Sequence, residues 1–174
     1  MLDILKKRRS IRKFKTEKVE REKIDKLMKA ALLSPSSKNK KPWEFIIITD
    51  ESILEKLSKA KEHGGLFLKG APLGIVILGD EEKSDVWVED TSIASILIQM
   101  EAESIGLGSC WIQIRERQHG LGKTAEEYIQ QILNVPKNKR IECIIAVGYP
   151  DEQKSPHTEE ELRFDKVYMN KYRI

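Results

Sequence analysis

The sequence predicts one α/β or α+β domain built in three layers, and three observations carry that prediction. Segments with strand and helix patterning alternate along the chain without an internal repeat or a low-complexity linker. Residues 73–78 are a nearly continuous apolar run, the pattern of a central strand covered on both faces. Residues 85–104 place Ile93, Leu97, Met100 and Ser104 on one helical face and Ala94, Ile98, Ala102 and Ile105 on the adjoining one, which leaves no solvent-facing stripe between residues 93 and 100. A helix apolar around most of its circumference is buried in a domain centre or against another subunit. A chain of 174 residues forms one domain, 1–174, with a good core, where two would be a squeeze.

Taken in order, Leu2, Ile4 and Leu5 form a short helix that ends at the arginines following it, and residues 14–18 are extended and polar. Ile24, Leu27, Met28, Ala31 and Leu32 recur at helical spacing and predict a helix over 20–33. Ser34 and Pro35 stop it, because a residue before proline is pushed out of the helical region. A polar loop over 34–43 follows, stiffened by Pro35 and Pro42, and leads into a strand at 44–49. Asp50 or Thr49 caps a helix carrying Ile53, Leu54, Leu57 and Ala60, ended by Gly64-Gly65. Beyond the strand at 73–78 and the helix at 85–104, residues 106–108 turn the chain and 109–112 form a short strand. Residues 115–117 are a charged loop, 123–133 a helix with Ala125, Tyr128, Ile129 and Ile132 inward, 136–140 a turn, and 141–147 the last strand, closed by Gly148-Tyr149-Pro150. The tail from Asp151 is polar, yet it carries Leu162, Phe164, Val167, Tyr168, Met169 and Tyr172, which have no evident place in a closed core and suit a neighbouring molecule.

The composition, 40% hydrophobic and 34% charged with a net charge of +3, is that of a soluble globular protein and disfavours a polyelectrolyte partner such as nucleic acid. No apolar run approaches the roughly 18 residues of a membrane span. Lys6, Lys7, Arg8 and Arg9 interrupt the first apolar turn, so a signal-peptide core is not expected and the cytoplasm is. Cys110 and Cys143 sit in apolar stretches without a CxxC partner, which argues against both a disulfide framework and a zinc site.

Arg8, Arg9, Ser10 and Arg12 gather three guanidiniums and a hydroxyl within five positions. Fixed N–H forks of permanent charge suit a phosphate dianion, although a basic run is more commonly a solvated helix end. Pro35, Ser36, Ser37 and Asn39 form a stiff loop of small hydrogen-bonding groups, which taken alone is an ordinary connection. Other motifs fail on spacing. Gly122-Lys123-Thr124 lacks the glycine of a phosphate-binding loop, since Arg117 stands there. Gly120-Leu121-Gly122 follows no hydrophobic strand and is expected to open a helix rather than bind a dinucleotide. His63, His119 and His157 are far apart and are expected in exposed loops. With no metal set and no nucleophile–base pair, redox chemistry would come from a bound cofactor.

The ordered set Arg8-Arg9-Ser10-Ile11-Arg12, Pro35-Ser36-Ser37-Lys38-Asn39 with Pro42-Trp43, residues 106–112 and Gly148-Tyr149-Pro150 resembles the nitroreductase family of FMN-dependent oxidoreductases, over nearly the whole chain. The resemblance implies an α+β sandwich with a mainly antiparallel sheet, an intertwined homodimer, and two FMN sites at the subunit interface. It implies that Arg8, Ser10 and Arg12 hold the FMN phosphate and ribityl chain, with Arg9 acting largely through its backbone. Pro35, Ser36, Ser37 and Asn39 would come from the other subunit to lie against the flavin ring. Trp111, Ile112 and Gln113 would run beside the ring, offering a main-chain N–H to N5 or O4. Lys154 is the tail residue nominated for the phosphate, and no residue at 60–70 matches the family's polar flavin contact there. The helix at 85–104 would be central to the dimer, and residues 151–174 would embrace the partner.

The function this implies is ping-pong hydride transfer from NADH or NADPH, by way of flavin N5, to a nitroaromatic, quinone or similar small acceptor, with no obligatory acid or base. A second reading keeps the fold and changes the reaction to enone reduction, dehalogenation or flavin fragmentation. A third, from another class, is a cofactor-free module that binds nucleic acid or an anionic ligand through the basic stretches at 6–18 and 38–41.

Overall fold

The computed structural model describes residues 1–120 and 122–172. Its principal elements are α1 (Leu2–Lys7), α2 (Arg21–Leu32), β1 (Trp43–Ile48), α3 (Glu51–Ser58), β2 (Leu73–Asp80), α4 (Trp87–Ser104), β3 (Gly108–Gln113), β4 (Gln118–Gly120), β5 (Lys123–Thr124), α5 (Ala125–Leu133) and β6 (Lys139–Gly148). The main sheet has the order β1-β2-β6-β3 and is antiparallel throughout. β2 and β6 are therefore central, and β1 and β3 are the two edges.

Alternation along the strands divides the core in two. Val76, Leu78, Ile112 and Ile144 face Leu54 and Leu57 of α3 and Ile129 of α5. Ile75, Ile77, Cys143 and Ile145 face Ile24 and Leu27 of α2 and Ile98 and Ala102 of α4. Each such side chain contributes roughly 1.5–3 kcal/mol on burial, which makes the helix–sheet–helix sandwich the stable arrangement of this pattern. Every residue of β2 is buried, as its unbroken apolar run predicts.

α4 explains why no polar stripe was evident in its sequence. Its sheet-facing side carries Asp90, Thr91, Ser95 and Gln99 among the buried residues, while Ile93 and Ile96 stand 40% and 39% exposed. The polarity of an ordinary surface helix is thus partly inverted.

Several expectations are revised. Residues 118–120 and 123–124 pair as the short antiparallel strands β4 and β5, and α5 begins only at Ala125. The hydroxyl of Thr124 accepts from the Glu127 N–H while the Glu127 carboxylate accepts from the Thr124 N–H, a reciprocal cap that sets the helix start. Leu121, in the middle of the expected glycine-flanked helix start, lies outside the described residues. α3 stops at Ser58, well before the glycine pair, and β6 starts at Lys139 inside the expected turn. Phe14 is buried rather than part of a polar stretch, bridging to Pro150. His119 lies in β4 and stacks on Tyr128 at 3.9 Å between ring centroids, so it is not an exposed loop residue.

After β6 the chain turns back along its own N-terminal segment. The Asp151 N–H donates to the Lys13 carbonyl, the Glu152 carboxylate accepts the Arg12 and Lys13 N–H groups, and the His157 N–H donates to the Lys6 carbonyl. Beyond this docked stretch, residues 158–172 are exposed, including Phe164, Val167, Met169 and Tyr172. Among the described residues no helix is long and apolar enough to cross a membrane.

Candidate functional site

The basic segment is fixed on the β3 edge by backbone contacts. Arg8 terminates α1, its N–H donating to Ile4. Two residues on, Ser10 bridges to Ser109, and the Ile11 N–H donates to the Ser109 carbonyl at 3.0 Å. Ile11 fits because Gly108 has no side chain: a Cβ there would meet the Ile11 side chain at 2.9 Å.

Alternation then sends the segment's side chains two ways. Arg9 turns to the tail, donating to the Ser155 carbonyl, and lines a cleft of about 600 Å³ with Lys7, Glu103 and Lys154. Arg8, Ser10 and Arg12 share the other side of the segment. Burial pushes the Cys110 thiol up, and the Arg12 charge, a hydrogen bond with the Ser10 hydroxyl, and the Lys154 and Arg8 charges act in the opposite sense. Lys154 also donates to the Ser10 carbonyl. Among the described residues no carboxylate lies within ion-pair distance of the Arg8, Arg9 or Arg12 guanidinium, although the guanidiniums of Arg115, Arg140 and Arg163 all have one. The cluster is an assembled set of donors with charge to spare.

From this cluster β3 leads away as an edge. Because the Ser109 carbonyl points outward to Ile11, strand alternation turns the main-chain groups of Trp111 and Gln113 outward as well. The side chains do other work. Ile112 is buried in the core. The Trp111 indole donates to the Gln113 amide oxygen at 2.9 Å, and the Gln113 amide nitrogen donates to the Arg115 carbonyl and, at 3.4 Å, to Glu142. Gln113 therefore braces the strand end, leaving its backbone to face outward.

Pro35, Ser36, Ser37 and Asn39 are not brought to this set within one chain. They precede β1, the opposite edge strand, about 14 Å away across the sheet at ordinary strand spacing. Ser37 is tied to Asp90 at the start of α4, whereas Ile11 packs at Gly108 beyond its end, about 20 Å further along that helix.

Three residues that sequence reasoning passed over belong to the neighbourhood. Cys110 is a buried thiol next to the Ser109 contact of the basic segment. Glu152 already occupies two N–H groups of the basic segment, and those bonds hold its carboxyl below the usual range. Lys61 is half-buried; burial and then the Arg117 guanidinium lower its ammonium. A lysine between Ala60 and Glu62 in a charged stretch gave no pattern to single it out.

The Nitroreductase family model matches residues 5–64 and 59–149. The chain belongs to the nitroreductase family. Among solved nitroreductases, an FMN-dependent nitroreductase from Clostridium difficile R20291 superimposes with a TM-score of 0.98 at 51% identity, covering 99% of this chain and 100% of that one. A protein of Archaeoglobus fulgidus, provisionally named NADH dehydrogenase/NAD(P)H nitroreductase, is 33% identical over 95% of this chain and 94% of its own length. Iodotyrosine deiodinase from Thermotoga neapolitana is 27% identical over 93% of this chain and 95% of its own. The antiparallel sheet between two helical layers is the nitroreductase fold expected from the motifs.

Proposed function

We propose that the protein is an FMN-dependent oxidoreductase acting between NADH or NADPH and a small acceptor such as a nitroaromatic or quinone. The observation that carries this reading is that the segment bearing Arg8, Ser10 and Arg12 is fixed on the open β3 edge at Ser109, with Lys154 donating to the Ser10 carbonyl. The residues fit FMN. Its phosphate needs several cationic donors, and although Lys154 faces the Glu152 carboxylate at 3.6 Å, the Arg8 and Arg12 guanidiniums have no carboxylate at ion-pair distance among the described residues; its ring edge needs main-chain N–H groups that no sheet partner uses. FMN, when bound, supplies the hydride chemistry.

The protein's own part is binding and orientation. Arg8 and Arg12 offer forked donors and Lys154 a point charge to the phosphate, with the Ser10 hydroxyl between them. The outward main-chain groups at Trp111 and Gln113 hold the ring edge, and Lys61 supplies positive charge from the 60–70 segment. No side chain is required as an acid or base.

The site is completed by a second copy. The 36–39 loop and the basic cluster sit at opposite sheet edges, so in one chain they cannot enclose one ring; two copies packed through α4 bring them together. Ile93 and Ile96 are the apolar surface for that contact, and residues 158–172 the segment that reaches around the partner. The docked stretch 151–157 stays with its own chain.

The test is to titrate apoprotein with FMN and follow bleaching by NADH and NADPH under anaerobic conditions. Yellow protein that bleaches is expected. Arg8→Ala is expected to weaken FMN binding about ten- to hundredfold, the worth of one charge-assisted bond. Unchanged flavin occupancy in that variant overturns the assignment. A second reading, reductive dehalogenation on the same flavin, is favoured by the likeness to iodotyrosine deiodinase; turnover of a halophenol in preference to quinones and nitroaromatics would select it.

A further inference from the structure

The loop at residues 36–41 holds a shape that its own sequence resists. Lys38, Asn39 and Lys41 have φ of 51°, 55° and 48°, three left-handed residues within four positions, and no glycine is among them. Two lysines there are strained, since a Cβ crowds the following carbonyl in that region. The shape gains nothing in the core, for residues 38–41 are exposed and Ser36 and Ser37 only half-buried. Strain without packing gain marks a surface held for use.

Two turn bonds within the loop, from the Asn39 N–H to the Ser36 carbonyl and from the Lys40 N–H to the Ser37 carbonyl, both 3.0 Å, are joined by three side-chain contacts. The Lys41 N–H donates to Ser36 Oγ at 2.8 Å, and Lys40 faces Asp85 at 3.9 Å, both at the surface. The third is different in kind. The Ser37 N–H donates to Oδ1 of Asp90 at 2.9 Å, and the Ser84 hydroxyl donates to Oδ2 at 3.2 Å. Asp90 is 3% exposed, and among the described residues no cation stands within ion-pair distance. A buried carboxylate without a cation persists only where hydrogen bonds and a helix start compensate it; both of its oxygens are engaged, and it lies in the first turn of α4.

We propose that Asp90 is a positioning residue for cofactor binding: through the Ser37 main chain it keeps the 36–41 loop in the shape that closes over the flavin held by the partner copy. The inference rests on the reading that FMN binds between two copies. Asp90 lies one turn from Ile93, so the anchor of the loop is also part of the helix on which the partner packs.

The experiment compares wild-type protein with Asp90→Asn, Ser84→Ala and Arg12→Ala. FMN affinity is measured by quenching of flavin fluorescence on apoprotein, the ring's surroundings by visible circular dichroism at saturating FMN, and the phosphate cradle by competition with inorganic phosphate. Asp90→Asn is expected to weaken FMN binding at least tenfold and alter the visible dichroism while phosphate competition stays as in wild type. Ser84→Ala, which loosens only one side of the carboxylate, is expected to weaken FMN about threefold, and it decides the matter if Asp90→Asn does not fold. Arg12→Ala is expected to weaken FMN and phosphate together. Wild-type affinity and dichroism in folded Asp90→Asn, or in Ser84→Ala where the first is unfolded, overturn this role alone. Wild-type protein that binds no FMN, or Arg12→Ala with undiminished FMN affinity, overturns the flavin reading and this inference with it.

Discussion

Glu142 shows how one residue can act on a site it does not touch. It is the extra residue at the irregularity opposite Ile77 and Leu78, and its carbonyl accepts the Ile114 and Arg115 N–H groups. Its side chain is buried; Oε1 meets the Gln113 amide and Oε2 has no partner. Burial pushes the carboxyl up, opposed by the Gln113 bond and Arg115, and reinforced by Glu116 and Glu126. The sign follows by linkage. A carboxyl raised in the folded state favours folding below its unfolded value, and that contribution is lost as pH rises through the folded value. Glu142→Gln is therefore expected to stabilise the protein at pH 8 relative to wild type, with the advantage shrinking as pH falls toward 5, as read by urea denaturation at both pH values. An equal difference at the two pH values would show that ionisation of Glu142 carries no cost.

At the level of elements, glycines set how closely the N-terminal segment approaches the sheet. A Cβ at Gly148 would lie 2.6 Å from Pro72 and 3.0 Å from Phe14, and one at Gly108 would meet Ile11. Gly108→Ala is expected to cost about 1–3 kcal/mol by overpacking and to lower FMN affinity, because the displaced Ile11 carries Ser10 and Arg12 with it. Chemical denaturation and FMN titration check the two halves separately. Much of this was legible in the sequence. β2 announced itself by its nearly continuous apolar run, and the arginine cluster by its density. Strand order was not, since β2 pairs with β6 some sixty residues later and local periodicity carries no record of such partners. The β4–β5 pair was hidden by its brevity and polarity. Asp90 was hidden beside Glu89, since either acid of a helix's first turn looks the same from the sequence, and Glu142 because a single acid in an apolar stretch looks the same whether it is buried or faces water. Of the candidate site, residues 8–12 lie along the β3 edge that continues to 111–113 and Lys154 reaches the Ser10 carbonyl, while 35–39 lie by the opposite sheet edge.

Across the molecule, Ile93 and Ile96 on α4, Leu32 and Leu33 at the end of α2, and Phe164, Tyr168 and Tyr172 of the tail are exposed apolar side chains, the kind of surface the proposed second copy would cover. Ile96→Glu is expected to convert a dimer to monomers by sedimentation and, in the same preparation, to abolish FMN retention, although no residue of the basic cluster is altered. Dimeric protein that keeps its flavin would refute the α4 interface.

The docking of residues 151–157 onto residues 6–13 also bears on how the protein is made. The basic segment is synthesised before Ser109, Tyr149 and Ser155, whose carbonyls accept from Ile11, Lys15 and Arg9 and hold it in place. The anion cradle therefore cannot form on a nascent chain, and its closure waits on the longest loop the polypeptide has to bring together.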